Sequence, residues 1–252
     1  MKAEEVKPYD ESRAKGEQVE AMFDSIAPAY DFMNTAMTFG MHRRWLRKAI
    51  GRIREEEIKK LETETPPALD IIDLATGTGE VAFNLGRLYP EADILGVDLS
   101  EGMLKIARQK LAANPGGKIR FEQGDCLALK QPDNSFDLLT IAYGVRNFEN
   151  LESGFREFFR VLRPGGKCMI LELSRPENKV IRLGYDLYSR TLIPLIGRTV
   201  SKDRRAYSYL PESIAAMPPR RRIAEMLKEV GFRRVDFKSL TLGVVTYYIA
   251  EK

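Results

Sequence analysis

Leu69-Asp-Ile-Ile-Asp-Leu-Ala-Thr-Gly-Thr-Gly-Glu80 decides the fold. An apolar run ends in a loop of small residues holding Gly77 and Gly79. Glu80-Val-Ala-Phe-Asn-Leu-Gly then begins a pattern of helical period. The reading is a buried parallel strand, a tight turn and the N-terminus of a helix. Glycines let the backbone approach a ligand closely, and a helix start offers unpaired N–H groups. Nineteen residues after Gly79, the strand-like run Ala92-Asp-Ile-Leu-Gly-Val-Asp98 ends in an acid. A carboxylate at the end of a second strand suits the two hydroxyls of a ribose. Together the two features call for a nucleoside-containing cofactor.

Outward from this stretch the chain alternates. Strands are expected near 69–75, 92–98, 118–123, 136–142, 167–173, 233–239 and 243–250. Helices are expected near 79–88, 101–113, 151–162 and 219–230. Such alternation predicts an α/β fold, a doubly wound and mostly parallel sheet of seven strands covered on both faces. The last two strands lie too close for a crossover helix. They should form an antiparallel C-terminal hairpin through Thr241-Leu-Gly243. Residues 1–18 are polar and charged, which predicts a mobile terminus. Short helices broken at Pro28 and Gly40 should occupy 19–50, and a separate charged helix 51–68. Residues 175–218, rich in Tyr, Leu, Ile, Arg and Pro, interrupt the alternation as a helical insert. With no repeat and no shift of composition, 1–252 reads as one domain with an N-terminal helical region at 1–68.

Bulk properties narrow the classes. The chain is 44% hydrophobic and 30% charged, an ordinary globular composition. No apolar run approaches the roughly 18 residues of a membrane span, and the N-terminus has no secretory h-region. Two cysteines, Cys126 and Cys168, lack metal-ligand spacing, and a single histidine, His42, argues against a histidine metal cluster or a Ser-His-Asp site. A reducing cytoplasm is the expected compartment. A net charge of +4 is too weak to argue for nucleic acid. Arg198, Lys202, Arg204 and Arg205 cluster in the insert. They read either as a solvated face or as a contact with an anionic membrane surface.

Several further motifs sharpen the cofactor reading. Gly77-Thr-Gly79-Glu-Val-Ala82 also fits the dinucleotide pattern, a weak signal alone. Asp73, inside the first strand, can brace the glycine loop or serve only the core. Phe121-Glu-Gln-Gly-Asp125-Cys126 ends the third strand in an acid that can accept the exocyclic amine of adenine. Asn134-Ser-Phe-Asp-Leu-Leu-Thr-Ile-Ala-Tyr143 is an apolar strand ending at the same crevice. Arg160-Val-Leu-Arg-Pro-Gly-Gly-Lys167 turns a helix into the fifth strand.

As a set, in order and spacing, these motifs resemble the class I S-adenosylmethionine-dependent methyltransferases over residues 69–175 and the final hairpin. Phe23-Asp-Ser-Ile-Ala-Pro-Ala-Tyr-Asp31, Thr140-Ile-Ala-Tyr-Gly-Val-Arg-Asn147, Leu171-Glu-Leu-Ser-Arg-Pro176, Leu192-Ile-Pro-Leu-Ile-Gly197 and Tyr207-Ser-Tyr-Leu-Pro-Glu-Ser-Ile214 extend the resemblance across almost the whole chain. Through them it resembles the ubiquinone/menaquinone biosynthesis C-methyltransferase family. That family methylates a ring carbon of a polyprenylated quinol such as demethylmenaquinol. The resemblance implies S-adenosyl-L-methionine as the methyl donor, held by Gly77, Thr78 and Gly79 of the loop and by Asp98 at the ribose. Asp125 and Cys126 fall at the adenine, Cys126 through its main chain. Ala142 stands where some members carry a serine contact.

The chemistry agrees. A sulfonium methyl is already electrophilic, so the protein has to align a carbon nucleophile with it and exclude water. A quinol carbon becomes nucleophilic when a neighbouring hydroxyl loses its proton. Arg146, just beyond the fourth strand, suits stabilisation of that oxyanion, and Asn147 can hold the other oxygen. The plain alternative is that both cap the next helix. Tyr30 and Asp31 can form a lid over the methionine part of the cofactor or simply pack and cap helices. His42 reads as a packing residue rather than a base. Met33, Met37 and Met41 suit core or lid packing, with prenyl binding as the lesser reading.

Within the insert, Tyr185, Leu187, Tyr188, Leu192, Ile193, Leu195 and Ile196 give a helix with one broad apolar face beside Arg190, Arg198, Lys202, Arg204 and Arg205. That suits a doorway for a prenyl tail at the membrane, or packing on the protein's own core or on a second subunit, which leaves a homodimer open. Localisation is then cytoplasmic, with peripheral contact at the inner face of the membrane. Three rivals remain at this level: a methyltransferase acting on another small molecule or RNA, a nicotinamide-dependent oxidoreductase, and a quinone-binding protein without catalysis. The oxidoreductase leaves Asp125, the Arg-Pro-Gly-Gly turn and the hairpin unexplained. RNA is disfavoured by the modest charge.

Overall fold

β1 (Asp70–Leu74) lies inside a seven-stranded sheet. β2 (Asp93–Asp98) and β4 (Phe136–Ala142) flank it, both parallel to it. β3 (Lys118–Gln123) extends one side and β5 (Leu162–Leu173) the other, again in parallel. β7 (Val245–Glu251) runs antiparallel to both β5 and β6 (Arg234–Leu240). The order is β3-β2-β1-β4-β5-β7-β6. The hairpin turns through Thr241–Gly243 as its short connection requires. The chain winds one way through β1, β2 and β3, then reverses to β4 and β5. The crevice at the carboxyl ends of β1 and β4 is therefore a topological switch point. The structure, a computed structural model, describes residues 3–10, 12–60, 68–200 and 204–252, without the side chains of 55–60, 190, 192–200, 204 and 207.

Successive strand residues point to opposite faces, and two cores follow from that period. Ile72, Leu74, Leu139 and Ile141 pack beneath α6 (Leu151–Val161) and α9 (Arg220–Val230), with Phe155, Phe158 and Leu227. Ile71, Leu138 and Met169 face the other way, toward α3 (Met41–Lys60), α4 (Glu80–Leu88) and α5 (Glu101–Ala113). A third cluster joins α1 (Lys15–Ile26) and α2 (Tyr30–Thr38) to α5 and to α8 (Arg204–Ala216), through Met22, Met33, Met103 and Tyr209.

Three expectations change. The described part of 1–18 is not a loose tail: Ala3, Val6, Lys15 and Gln18 are buried. Lys15 Nζ donates to the carbonyls of Ala3, Arg146 and Phe148 at 2.7, 3.1 and 3.1 Å. A buried ammonium is tolerable only when its donors are met, and three carbonyls meet them. Second, no break falls at residue 50, because α3 runs unbroken from Met41 to Lys60; 61–67 lie outside the described residues. Third, β5 starts at Leu162, five residues before the expected Lys167, with a register irregularity against β4 that accommodates the Pro-Gly-Gly turn.

The insert forms α7 (Lys179–Val200) and α8. Tyr185 and Tyr188 turn inward, whereas Leu187 faces solvent. The side chains of Arg190, Leu192, Ile193, Leu195, Ile196, Arg198 and Arg204, and all of Lys202, lie outside the described residues. Arg205 Nε donates to the Pro8 carbonyl at 3.1 Å, so it ties α8 to the N-terminal segment.

Candidate functional site

The glycine loop is built on a buried carboxyl. Asp73 points into the sheet's α4 face and accepts from Thr76 Oγ1 at 2.5 Å and from Thr140 Oγ1 at 2.6 Å. One acid thus joins the loop to β4, and of its two readings the bracing one holds. Burial pushes its pKa up to about 7. Gly77 and Gly79 both take left-handed conformations, with φ of 55° and 85°. A Cβ on Gly77 would project into open space, the Tyr30 ring being the nearest group at 3.9 Å. The loop therefore offers bare backbone to the cleft at this point.

Asp98, buried at the end of β2, accepts from the Gly77 amide at 2.7 Å and the Ser100 amide at 2.8 Å, one on each oxygen. Each carboxylate oxygen keeps capacity for a further donor, which is what a ribose diol supplies. Burial raises its pKa to about 6. Asp98 lines a cleft with Gly77, Asp125, Cys126, Ala142 and Tyr30. Asp125 is exposed and turns its own loop by accepting from the Leu127 amide at 2.8 Å. Burial drives the Cys126 thiol upward, so its side chain is inert packing.

Thr78 and Gly79 do not line this cleft. Thr78 donates its hydroxyl to Asp31 Oδ1 at 2.6 Å, and Lys110 bonds the other Asp31 oxygen and the Thr78 carbonyl. Gly79 is crowded instead by the rings of Phe83 and Phe121. A second clasp holds α1: Asp24 accepts from Ser100 Oγ at 2.6 Å and from the Gly102 amide at 2.9 Å. Nothing local in the sequence marked Asp24.

A second, apolar cavity of about 350 Å³ adjoins the cleft. Met37, Trp45, Tyr185 and Tyr188 form walls, and Phe39 and Leu242 sit at exposed positions on its rim. Met37 and Met41 line it, whereas Met33 belongs to the core. His42 is buried against it, with Thr38 Oγ1 2.8 Å from Nδ1 and Glu80 3.7 Å from Nε2. Burial lowers its pKa, in keeping with a packing residue. Tyr30 and Tyr143 line both the cleft and this cavity, and so form the wall between them.

Arg146 lines the apolar side of that wall and Asn147 the cleft side. Arg146 is buried in an ion pair, Nη1 lying 2.8 Å from Glu172 Oε1, while Glu172 Oε2 accepts the Arg146 amide at 3.1 Å. Arg146 Nη1 also bonds the Tyr143 carbonyl. Asn147 Oδ1 accepts from Tyr209 at 3.1 Å. Neither residue caps α6: Asn150 does, accepting from the Ser153 amide at 2.9 Å. Sequence reading passed over Glu172, although a lone acid in the apolar run Met169-Ile-Leu-Glu-Leu was the available signal.

Backbone strain marks the same place. Non-glycine residues with positive φ among those described are Phe39, Ala75, Asn134, Tyr143, Thr241 and Leu242. All but Asn134 line the cleft or the apolar cavity. Such conformations cost on the order of 1–3 kcal/mol each and gather where function needs them. A larger polar hollow, about 780 Å³ between α3, α4 and α5, lies off the strand ends and has none of this strain. Among the described residues no group of side chains suits a metal ion.

Comparison with known proteins agrees with this arrangement. The chain is 44% identical to the demethylmenaquinone methyltransferase of Porphyromonas gingivalis, over 99% of this chain and 98% of that one. It is 40% identical to the ubiquinone/menaquinone biosynthesis C-methyltransferase UbiE of Geobacter sulfurreducens, over 94% and 90%. Among solved structures, the [4+2]-cyclase SpnF superposes with a TM-score of 0.66 at 16% identity, over 94% of this chain and 96% of that one. Phosphoethanolamine N-methyltransferase 2 of Haemonchus contortus, in complex with S-adenosyl-L-methionine, superposes at 0.56 and 15%, over 77% and 51%. These two likenesses are of fold. Residues 11–252 match the model of one family, and the chain belongs to it: the ubiE/COQ5 methyltransferase family.

Proposed function

We propose that this protein transfers a methyl group from S-adenosyl-L-methionine to a ring carbon of a prenylated quinol, with demethylmenaquinol as the preferred acceptor. The observation that carries the reading is the shared wall of Tyr30 and Tyr143. A cleft suited to a nucleoside and a cavity suited to an apolar ring meet there. The names of the relatives at 44% and 40% identity point to the same substrate class.

The donor supplies an electrophilic methyl group. Asp98 holds the ribose, the bare backbone at Gly77 admits the amino-acid part, and Asp125 with the Cys126 amide takes the adenine. Tyr30 covers the cleft, with α2 fixed by the Asp31–Thr78 bond. Arg146 stays charged throughout, because Glu172 neutralises it and a guanidinium does not give up its proton. It therefore favours the phenolate form of the quinol rather than acting as base. Attack by the ring carbon makes one C–C bond and breaks one C–S bond, whose pair stays on sulfur, and the displaced ring proton ends on the phenolate oxygen, which restores aromaticity. Asn147, on the cleft side, orients the second oxygen.

Access for a prenyl chain comes through the rim. Phe39, Leu242, Val180, Leu183 and Leu187 are 66–80% exposed. The last three recur at helical spacing along α7, so they form one apolar strip. None of the described helices is long and apolar enough to cross a membrane. The strip instead suits shallow contact with a bilayer surface from the cytoplasm.

The test supplies methyl-labelled donor with reduced demethylmenaquinone or with the corresponding benzoquinol precursor, and identifies products by mass. Label in the naphthoquinol ring is the expected result. Label in neither quinol would end the proposal.

A further inference from the structure

Tyr143 and Arg146 each leave a buried polar atom unpaired, Oη of the first and Nε of the second. Both residues line the apolar cavity, on one turn just past β4. Tyr143 also reaches the cleft and sits in the left-handed region at φ 60°. A buried hydroxyl without a partner costs stability, and a strained backbone adds to it. Two such costs at one strand end fit a donor kept for a ligand.

We propose that Tyr143 is a further catalytic residue, whose hydroxyl, together with Arg146 Nε, grips the quinol oxygen beside the carbon that receives the methyl and so directs transfer to carbon. The inference rests on the quinol reading above. A phenolate is an ambident nucleophile, able to take an alkyl group at oxygen or at ring carbon. Hydrogen-bond donors on the oxygen occupy its lone pairs, which leaves carbon as the open end. With oxygen held, the methyl carbon passes from sulfur to ring carbon and the C–S pair stays on sulfur; the ring C–H proton then ends on the oxygen as the aromatic phenol reforms, and the tyrosine keeps its own proton. Burial and the neighbouring carboxylates of Glu172 and Glu80 drive the phenol pKa far up, against the pull of Arg146, with Tyr30 as the remaining titratable neighbour. Tyr143 is accordingly a donor at every working pH.

Tyr143→Phe keeps the ring, the wall and the backbone strain, and removes only the hydroxyl. Trp45 is the sole tryptophan and lines the cavity, so its quenching reports ring occupancy. The expected result has two parts: a loss on the order of tenfold or more in kcat/KM for the quinol, and a methyl ether beside the C-methyl product. Affinity for S-adenosylhomocysteine should not move, and the melting temperature should hold or rise, because an unpaired buried hydroxyl is removed. A loss of less than threefold overturns the contact, and a product methylated wholly at carbon overturns the steering. Should wild type methylate no quinol, the functional reading fails on its own. Titration of Trp45 with reduced menadione then judges Tyr143 separately, weaker binding by the variant supporting the contact and equal binding or none overturning it.

Discussion

Glu172 and Arg146, 26 positions apart in the chain, close a buried ion pair at 2.8 Å beneath the wall between the two cavities. The pair works through both atoms of the carboxylate, one on the guanidinium and one on the Arg146 amide. The cation is therefore held in place before any substrate arrives, which is the condition for electrostatic stabilisation without reorganisation.

Glu172→Gln should leave the guanidinium buried and under-compensated. Breaking a buried pair from one side costs about 3–5 kcal/mol. Urea unfolding should show a loss of that size, with turnover down by on the order of 10²-fold. Replacing both partners by Met and Leu should recover most of the stability and none of the activity. Recovery of activity in the double variant would remove Arg146 from the reaction.

Asp98→Ala removes the cleft carboxylate proposed to hold the ribose. Charged hydrogen bonds contribute about 1.5–3 kcal/mol, so calorimetry with S-adenosylhomocysteine should show binding weaker by roughly 10- to 100-fold. Burial sets the Asp98 pKa near 6, so affinity in the wild type should also fall as pH drops through that value. An unchanged dissociation constant in Asp98→Ala would take the ribose away from this acid.

Asp73 makes stability depend on pH. Its folded pKa, about 7, lies above the ordinary 3.8, so the native state keeps a proton that the unfolded chain gives up. The stability it contributes is whole below pH 4 and is lost progressively as pH rises to 7. Asp73→Asn should remove that slope, so the stability of the variant relative to wild type should climb between pH 4 and 7. Parallel curves for the two proteins, measured by urea unfolding, would count against a buried protonated acid.

The exposed apolar strip of α7, Val180, Leu183 and Leu187, all changed to Ser, should abolish flotation with vesicles containing phosphatidylglycerol. Turnover on a short-chain quinol in solution should remain near wild type. Equal flotation of both proteins would place the membrane contact elsewhere.

Much of the fold was legible because its signals are local. Strand period, helix period and turn chemistry act within a dozen residues, and from them β1 to β4 and α4, α5, α6 and α9 fall within a residue or so of expectation. That Asp98 and Asp125 meet in one cleft was legible for the same reason, since strand ends converge on one crevice in any doubly wound sheet. The family resemblance depended on similar short motifs. Capping is local too but does not single out a residue: Asn147 and Asn150 are both good N-cap residues, and only the backbone shows that Asn150 takes the place.

The sequence by itself therefore determined the sheet, the crevice at its strand ends and the family. The tertiary structure decided which side chains face one another across long stretches of chain. Thr78, in the glycine loop, ties its hydroxyl to Asp31, 47 residues away. Lys15 looked like a solvated charge and is buried against carbonyls 131 and 133 residues away. Tyr143 looked like the last residue of a strand and divides two cavities. Each of these outcomes depends on packing between elements, where one orientation satisfies buried polar groups and others leave them bare, and no local period encodes that choice.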